Sequence, residues 1–383
     1  MSTSRSGGVG NYARRVISGL AAREDFDVVA LLPDFAYDRA ELPESNAHFR
    51  VEVVPTDCPT PDGFYDRRVL WEQDVALRYL EKIDHDVFFG PVFMAPCGWR
   101  GPKVVTVHDL AFERHRGYNT AESTAYYSSW ARKCAEQAAA VMCISHHTRA
   151  DVLERWDVAA GVFVTHLAPC LAPGPVDQEL SGRVVAQALG LAAPFGLYVG
   201  DAVPRKNLTR LVAAVSREEC FGPGYPMVLT LPPSAELSAV LREYGAEDRV
   251  RPIGHCPEDL LPHLYAAADF LVYPSLFEGF GLPPLEAMAC GTAVAATSSG
   301  AVPEVLQENA LYFEPRDTDS IAAAIGRLAR EPLLREELAE RGRRHAARYT
   351  WERTVARTAE VLRNCGAGSL ADRRPIAGRV RRG

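Results

Sequence analysis

Short apolar runs alternate along this chain with longer stretches in which apolar residues recur every three or four positions. That alternation is the pattern of strand–helix–strand units built into parallel sheets. In the first half the runs are DVVALL (27–32), FRVEVV (49–54), DVFFG (86–90), KVVTVH (103–108) and AAVMCI (139–144). Each predicts a buried strand, and polar or Gly/Pro punctuation follows each one. NYARRVISGLAAR (11–23) puts Tyr12, Val16, Ile17 and Leu20 on one helical face, as a helix lying on a sheet requires. Ser145, directly after AAVMCI, stands where it can cap the helix HHTRADVLERW.

A proline- and glycine-rich segment, APCLAPGPVDQ (168–178), interrupts the alternation and predicts a domain boundary near residue 173. Beyond it the runs restart: FGLYVG (195–200), MVLTL (227–231), VRPIG (250–254), DFLVYPS (269–275), TAVAAT (292–297) and ALYFE (310–314). The expected fold class is α/β, with parallel-sheet domains over 1–173 and 174–349. Ligands of such sheets bind at the carboxyl ends of the strands, in this case in a cleft between the domains.

Composition agrees with two domains, since 383 residues exceed what one hydrophobic core supports. A net charge of −7 argues against a general nucleic-acid binder. The end of the chain differs: DRRPIAGRVRRG holds five arginines and one acid, a basic tail over 366–383 expected to be disordered and able to touch anionic lipid. Nine scattered cysteines without a C-x-x-C pair suggest neither a disulfide framework nor a zinc site, and no metal is expected. MSTSRSG has no apolar core of a secretion signal, and no apolar run reaches the ~20 residues that span a bilayer, so a cytoplasmic protein is expected.

Four segments could carry chemistry. In RSGGVGNYARRV, Gly8, Gly10 and Ala13 satisfy the G-x-G-x-x-A spacing of a dinucleotide-binding turn, but the apolar strand that should precede such a turn is lacking. In YPSLFEGFGLPPLEAMACGTAV (273–294) a strand runs into a turn holding Glu278, Gly279 and Gly281. A helix then begins near Pro283 and ends before Gly291, with Glu286 expected in its first turn. Free amides at that helix start suit a diphosphate, and carboxylates suit sugar hydroxyls. In YVGDAVPRKNL, Arg205 and Lys206 follow a strand end, where two cations can stabilise a departing diphosphate. In VTVHDLAF, His108 and Asp109 end a strand of the first domain.

The E-x7-E spacing of Glu278 and Glu286 within FEGFGLPPLEAMACGTAV, with GAVPEV after it and PRKNL before it, resembles the retaining glycosyltransferases of family 4. SGGVGNYARRV, VHDLAF and AVMCISHHTRADV match that family's N-terminal landmarks in order, so the resemblance spans residues 7 to about 360. It implies a GT-B fold of two Rossmann-like domains, the first lacking its opening strand, with a C-terminal helix at about 350–365 packing back on it. It implies transfer of a hexose-type or N-acetylhexosamine sugar from a UDP-, GDP-, ADP- or dTDP-linked donor to a hydroxyl of a glycan, lipid-linked or small-molecule acceptor, without cofactor or metal. Carried over by residue, Glu286 would bind the nucleotide ribose, and Glu278 and His108 would lie near the donor sugar. Arg205 and Lys206 would hold the diphosphate. The backbone of Phe280, Gly281 and Leu282 would contact sugar and phosphate, and Gly8 and Val9 would close over the diphosphate. HDLAFERHRGYNTAES (108–123), with Arg114, His115 and Arg116, would line the acceptor site. VTHLAPCLAPG stands where many members of the family read NG-V-D and is expected to bear on the linker more than on the chemistry. Two other readings stay open: a nicotinamide-dependent oxidoreductase, using Gly8, Gly10, Ala13 and Asp34, and a catalytically silent sugar-nucleotide-binding protein.

Overall fold

A computed structural model describes residues 7–35, 42–56, 63–115, 117–118, 120–171, 176–191 and 194–366. The basic tail from 367 onward, Arg116 and linker residues 172–175 lie outside the described residues. The chain divides into two compact units. The first takes its residues from Met1–Arg116, Thr120–Leu167 and Trp351–Gly383, the second from Gly117–Asn119 and Ala168–Thr350.

The first unit holds two separate parallel sheets. One pairs β1 (Val28–Pro33) with β2 (Phe49–Val54), and the other runs in the order β3 (Phe88–Gly90), β4 (Lys103–Val107), β5 (Ala140–Cys143), β6 (Gly161–Val164). β4 and β5 are buried at every position, which explains their unbroken apolar sequence: helices cover both faces. Among the described residues no strand joins β1 to β3, so each keeps one unpaired edge. β6 was not legible as a strand because GVFV is short and only half-buried at the sheet's edge.

Helix Gly8–Ala21 bridges the two sheets. Val9 and Ala13 pack in the core of the four-stranded sheet, while Ile17 and Ala21 pack in that of β1 and β2. The four-residue spacing keeps all of them on one side of the helix. Tyr12, Val16 and Leu20 are also buried. The C-terminal helix Trp351–Gly366 packs along this helix, and a side chain at Gly19 would collide with Val355. Glycines 8 and 10 belong to the first helical turn and not to a loop before it. Gly7 is the N-cap, its carbonyl accepting from the Gly10 and Asn11 amides at 2.8 and 3.1 Å. Ser145 caps helix His146–Arg155, its hydroxyl accepting from the Thr148 amide.

The second unit is one six-stranded parallel sheet of β7 (Gly196–Tyr198), β8 (Met227–Leu229), β9 (Val250–Pro252), β10 (Phe270–Tyr273), β11 (Ala293–Thr297) and β12 (Leu311–Phe313). Their order is β12-β11-β10-β7-β8-β9. The chain builds outward from β7 in one direction, then returns to the other side of β7 at β10. The crevice between β7 and β10 is thus a topological switch point, where helices leave on opposite faces and a ligand can approach the strand ends.

Candidate functional site

The segments that leave the carboxyl ends of β7 and β10 carry the charged residues singled out in the sequence. After β7 the chain makes a short 3-10 turn, Pro204–Lys206, before helix Leu208–Arg217. Asn207 joins them in a left-handed conformation with φ 61°. Its buried side-chain amide donates to the Pro274 carbonyl at 3.0 Å and to the Pro315 carbonyl at 2.7 Å, tying this turn to the end of β10. The Leu276 amide donates to the Arg205 carbonyl at 2.7 Å, a second tie between the same two segments.

These ties bring two neighbouring cations to a carboxylate distant in sequence. The Lys206 ammonium donates to Glu278 Oε1 at 2.8 Å and to the Tyr273 hydroxyl at 3.0 Å, and lies 4.9 Å from the centre of the Tyr273 ring. Arg205 Nη1 stands 2.8 Å from the same carboxylate oxygen. Lys206 and Glu278 are both buried. Burial alone would push the Glu278 carboxyl up, but Arg205 and Lys206 outweigh it and hold the group at about 2. Two cations facing one carboxylate leave a net positive site, suited to a dianionic ligand.

The backbone at Glu278 is fixed independently of its side chain. The Ala301 amide donates to the Glu278 carbonyl at 3.0 Å, and Gly300 approaches so closely that a Cβ there would stand 2.7 Å from the Glu278 oxygen and 2.9 Å from its nitrogen. Gly281, with φ +99°, is the N-cap of helix Leu282–Ala289, whose first turn contains Pro283 and Pro284. Proline gives up no amide bond there, since first-turn amides have no partner within the helix. Phe280 is buried, its ring edge-on to Tyr349 at 6.0 Å.

Glu286 lies in the second turn of that helix, not in the first as the sequence suggested. Its Oε1 accepts from the Cys170 amide at 3.1 Å and its Oε2 from the Tyr265 hydroxyl at 3.2 Å. Burial raises its pKa, and these two donors partly offset that. The LAPC segment therefore contacts Glu286 directly, so it bears on this residue more than the sequence suggested. Tyr273, Tyr265, Cys170, Asn207 and Gly300 all escaped sequence reading. The available signals were that Asn207 lies in PRKNL and Gly300 in GAVPEV.

In the first unit His108 follows β4 directly and is buried. Tyr12 stands edge-on to its ring at 5.0 Å and Phe93 tilts against it at 5.4 Å. Nε2 is 2.9 Å from the Pro91 carbonyl. A carbonyl only accepts, so Nε2 carries the proton and Nδ1 is the acceptor nitrogen. Burial lowers the pKa to about 4 against the pull of the Pro91 bond, so the ring is neutral at pH 7. Gly8 and Val9, in the first turn of their helix, have amides without an intrahelical acceptor. Asp109 accepts from the Ala111 amide at 2.9 Å. Arg114 is engaged by Asp151 through both Nε and Nη2, which ties it to helix His146–Arg155.

The glycine pattern does not make a dinucleotide site: Gly10 and Ala13 are inside a helix, and Ala13 is buried in the core. No helix among the described residues is long and apolar enough to cross a membrane.

Comparison with known proteins follows the same division. Residues 187–345 match the family described as glycosyl transferases group 1, and residues 6–166 match glycosyltransferase family 4. The chain is 30% identical over 371 residues to O-antigen chain mannosyltransferase B of Escherichia coli, covering 92% of this chain and 94% of that protein. It is 30% identical over 235 residues to an MMP alpha-(1->4)-mannosyltransferase of Mycolicibacterium hassiacum, covering 60% and 55%. Sucrose-phosphate synthase from Thermosynechococcus elongatus has the same fold, with a TM-score of 0.74, 22% identity and coverage of 95% and 94%. Anabaena HepE, solved with UDP and glucose, gives 0.70 at 18% identity, covering 95% and 98%. Together with the parallel sheets of the two units, these matches identify the chain as a GT-B member of the group 1, family 4 glycosyltransferases, enzymes that move a sugar from a nucleotide-linked donor to an acceptor.

Proposed function

We propose that this enzyme transfers a mannose-type hexose from a nucleoside diphosphate donor to a hydroxyl of a growing glycan, with retention of anomeric configuration. The observation that carries the site assignment is the pair of cations, Arg205 and Lys206, meeting Glu278 at the β7/β10 switch point. The names of the E. coli and M. hassiacum relatives favour mannose, and that of the E. coli relative favours a glycan chain as acceptor.

In this reading the diphosphate binds Arg205 and Lys206, which share their charge between it and Glu278. As the bond between the anomeric carbon and the diphosphate oxygen breaks, negative charge grows on the leaving group, and two preorganised cations stabilise it without further rearrangement. The acceptor oxygen attacks the same face, and its proton passes to a phosphate oxygen of the departing diphosphate. Glu278, kept ionised by its two neighbours, would accept hydrogen bonds from sugar hydroxyls near the electron-poor carbon. Glu286, held by Cys170 and Tyr265, would accept from the ribose hydroxyls. His108 would offer Nδ1 to a donor-sugar hydroxyl. The Gly8 and Val9 amides, with those of Phe280, Gly281 and Leu282, would donate to sugar and phosphate oxygens.

The test is a thermal-shift screen across UDP-, GDP-, ADP- and dTDP-linked sugars, followed by mass spectrometry of products with a mannan oligosaccharide as acceptor. A nucleoside diphosphate mannose should give the largest rise in Tm and a product one hexose heavier. Stabilisation and turnover with a glucose or N-acetylhexosamine donor alone would refute the mannose assignment.

A further inference from the structure

Cys97 and Cys134 take no part in the chemistry above, yet their sulfurs lie 3.6 Å apart within the first unit. Cys97 is half-buried in the loop between β3 and β4, flanked by Pro96 and Gly98, and Cys134 is fully buried in helix Ala121–Glu136. The two thiols have different surroundings. Cys134 donates its S–H to the Ala95 carbonyl at 3.2 Å and accepts from the Ala95 amide at 3.4 Å, so its sulfur is locked in place. Cys97 is presented by a loop that is itself pinned: its amide donates to Gln73 Oε1 at 2.8 Å, and Gln73 donates to the Ala95 carbonyl at 3.2 Å.

A buried ammonium lies under this loop. Lys103, the first residue of β4, donates to the carbonyls of Pro96 at 3.1 Å, Trp99 at 3.0 Å and Cys97 at 3.4 Å, and to Gln137 Oε1 at 3.4 Å. It orders the Cys97 turn and sets a positive charge near the thiol. The contact with Cys134, joined by Lys103 and Lys133, outweighs burial and the Glu72 carboxylate and brings Cys97 down to about 7. The contact with Cys97 and burial push Cys134 up. Burial also pushes up Cys143, Cys256, Cys290 and Cys365. Cys97 is therefore the more acidic of the two thiols and Cys134 the less acidic, the division that a nucleophilic and a resolving cysteine need.

We propose that Cys97 is a hydroperoxide-reactive modification site that Cys134 resolves into a reversible disulfide. The Cys97 thiolate attacks one peroxide oxygen, the S–O bond forms as the O–O bond breaks, and the sulfenic acid results while the released hydroxide takes up a proton and becomes water. The Cys134 sulfur then attacks the Cys97 sulfur, the S–O bond breaks, and the S–H proton leaves with the hydroxyl as water. Two thiols lose two electrons and hydrogen peroxide becomes two waters. Closing from 3.6 Å to the ~2.05 Å of a disulfide requires about 1.5 Å of movement. The disulfide would fasten this loop to helix Ala121–Glu136. The same loop carries Pro91 and Phe93, both of which touch His108.

The test treats the full chain with hydrogen peroxide, blocks remaining thiols with N-ethylmaleimide, and maps peptides by mass spectrometry without reduction. The Cys97 and Cys134 peptides should appear joined, about 2 Da below their summed mass, and separate on adding dithiothreitol. Oxidised protein should melt about 5–10 °C above reduced protein in the transition of the first unit. Dimedone should label Cys97 in C134S, or in C134A if serine disrupts the core, and should leave C97S unlabelled at this site. Wild-type protein in which other cysteines oxidise first and no joined peptide forms would overturn the proposal. So would equal dimedone labelling of C97S and C134S.

Discussion

Replacing Glu278 by Gln keeps the shape of the side chain and removes its charge, leaving Arg205 and Lys206 facing each other without the carboxylate both now approach at 2.8 Å. Holding the Glu278 carboxyl at about 2 instead of 4.5 corresponds to about 3 kcal/mol of interaction favouring the ionised form. Because the folded pKa is the lower one, this stabilisation is complete above pH 4.5 and is lost as pH falls toward 2. E278Q should therefore be less stable than wild type by about 3 kcal/mol at pH 7, or about 6–12 °C in Tm for a unit of this size. The deficit should shrink steadily below pH 4.5. Ligand binding should move the other way. With its internal competitor removed, the net charge of the site rises by one, so UDP or GDP should bind E278Q at least as tightly as wild type. Sugar transfer should fall by about 10²–10³-fold. Urea titrations at pH 7 and pH 3, calorimetry of nucleoside diphosphate binding and an assay of sugar transfer measure the three effects. If E278Q unfolds at the wild-type midpoint at pH 7 and loses diphosphate affinity in step with activity, Glu278 is not the counter-charge described above.

K206M should leave the buried Glu278 with Arg205 alone, costing about 3 kcal/mol in stability and weakening nucleoside diphosphate binding at least tenfold, read by melting and calorimetry. G300A should force Glu278 to shift, because the new Cβ meets its backbone and the glycine has φ +66°. A loss of about 1–3 kcal/mol together with most of the activity is expected, and a fully active G300A would show the approach to be unimportant. His108, held at about 4, contributes stability that is complete above its unfolded value near 6.5 and is lost as pH falls toward 4. Wild type should thus destabilise more steeply than H108Q across that window, and pH–rate profiles should show no His108 step above pH 5.

Most strands stood out in the sequence because a parallel sheet covered on both faces has unbroken apolar runs, as in KVVTV and FLVY. Helix starts were less legible. Gly8 and Gly10 looked like loop residues because glycine is a poor helix former, yet packing of Val9 and Ala13 outweighs that preference. Charged residues at strand ends were legible as candidates, since topology determines where such ends point. Their partners were not. Tyr273 and Tyr265 look like ordinary apolar positions, and only the sheet register and helix packing bring their hydroxyls to Lys206 and Glu286. Cys170 contributes a backbone amide, which no side-chain pattern can reveal.

The described strands of the first unit fall into two sheets, and so do its cores. β1 and β2 have a small core of their own, formed by Ala21, Ala30, Leu32, Leu42 and Phe49, which shares no member with the core around β4 and β5. Helix Gly8–Ala21 has side chains in both cores. The pair can therefore detach as a small opening unit while β4 and β5 stay folded. Its amides should exchange with solvent at a free energy well below that of global unfolding, whereas uniform protection across both sheets would show that they open together. A fault line would then run through the scaffold that carries His108, with one helix setting how often it parts.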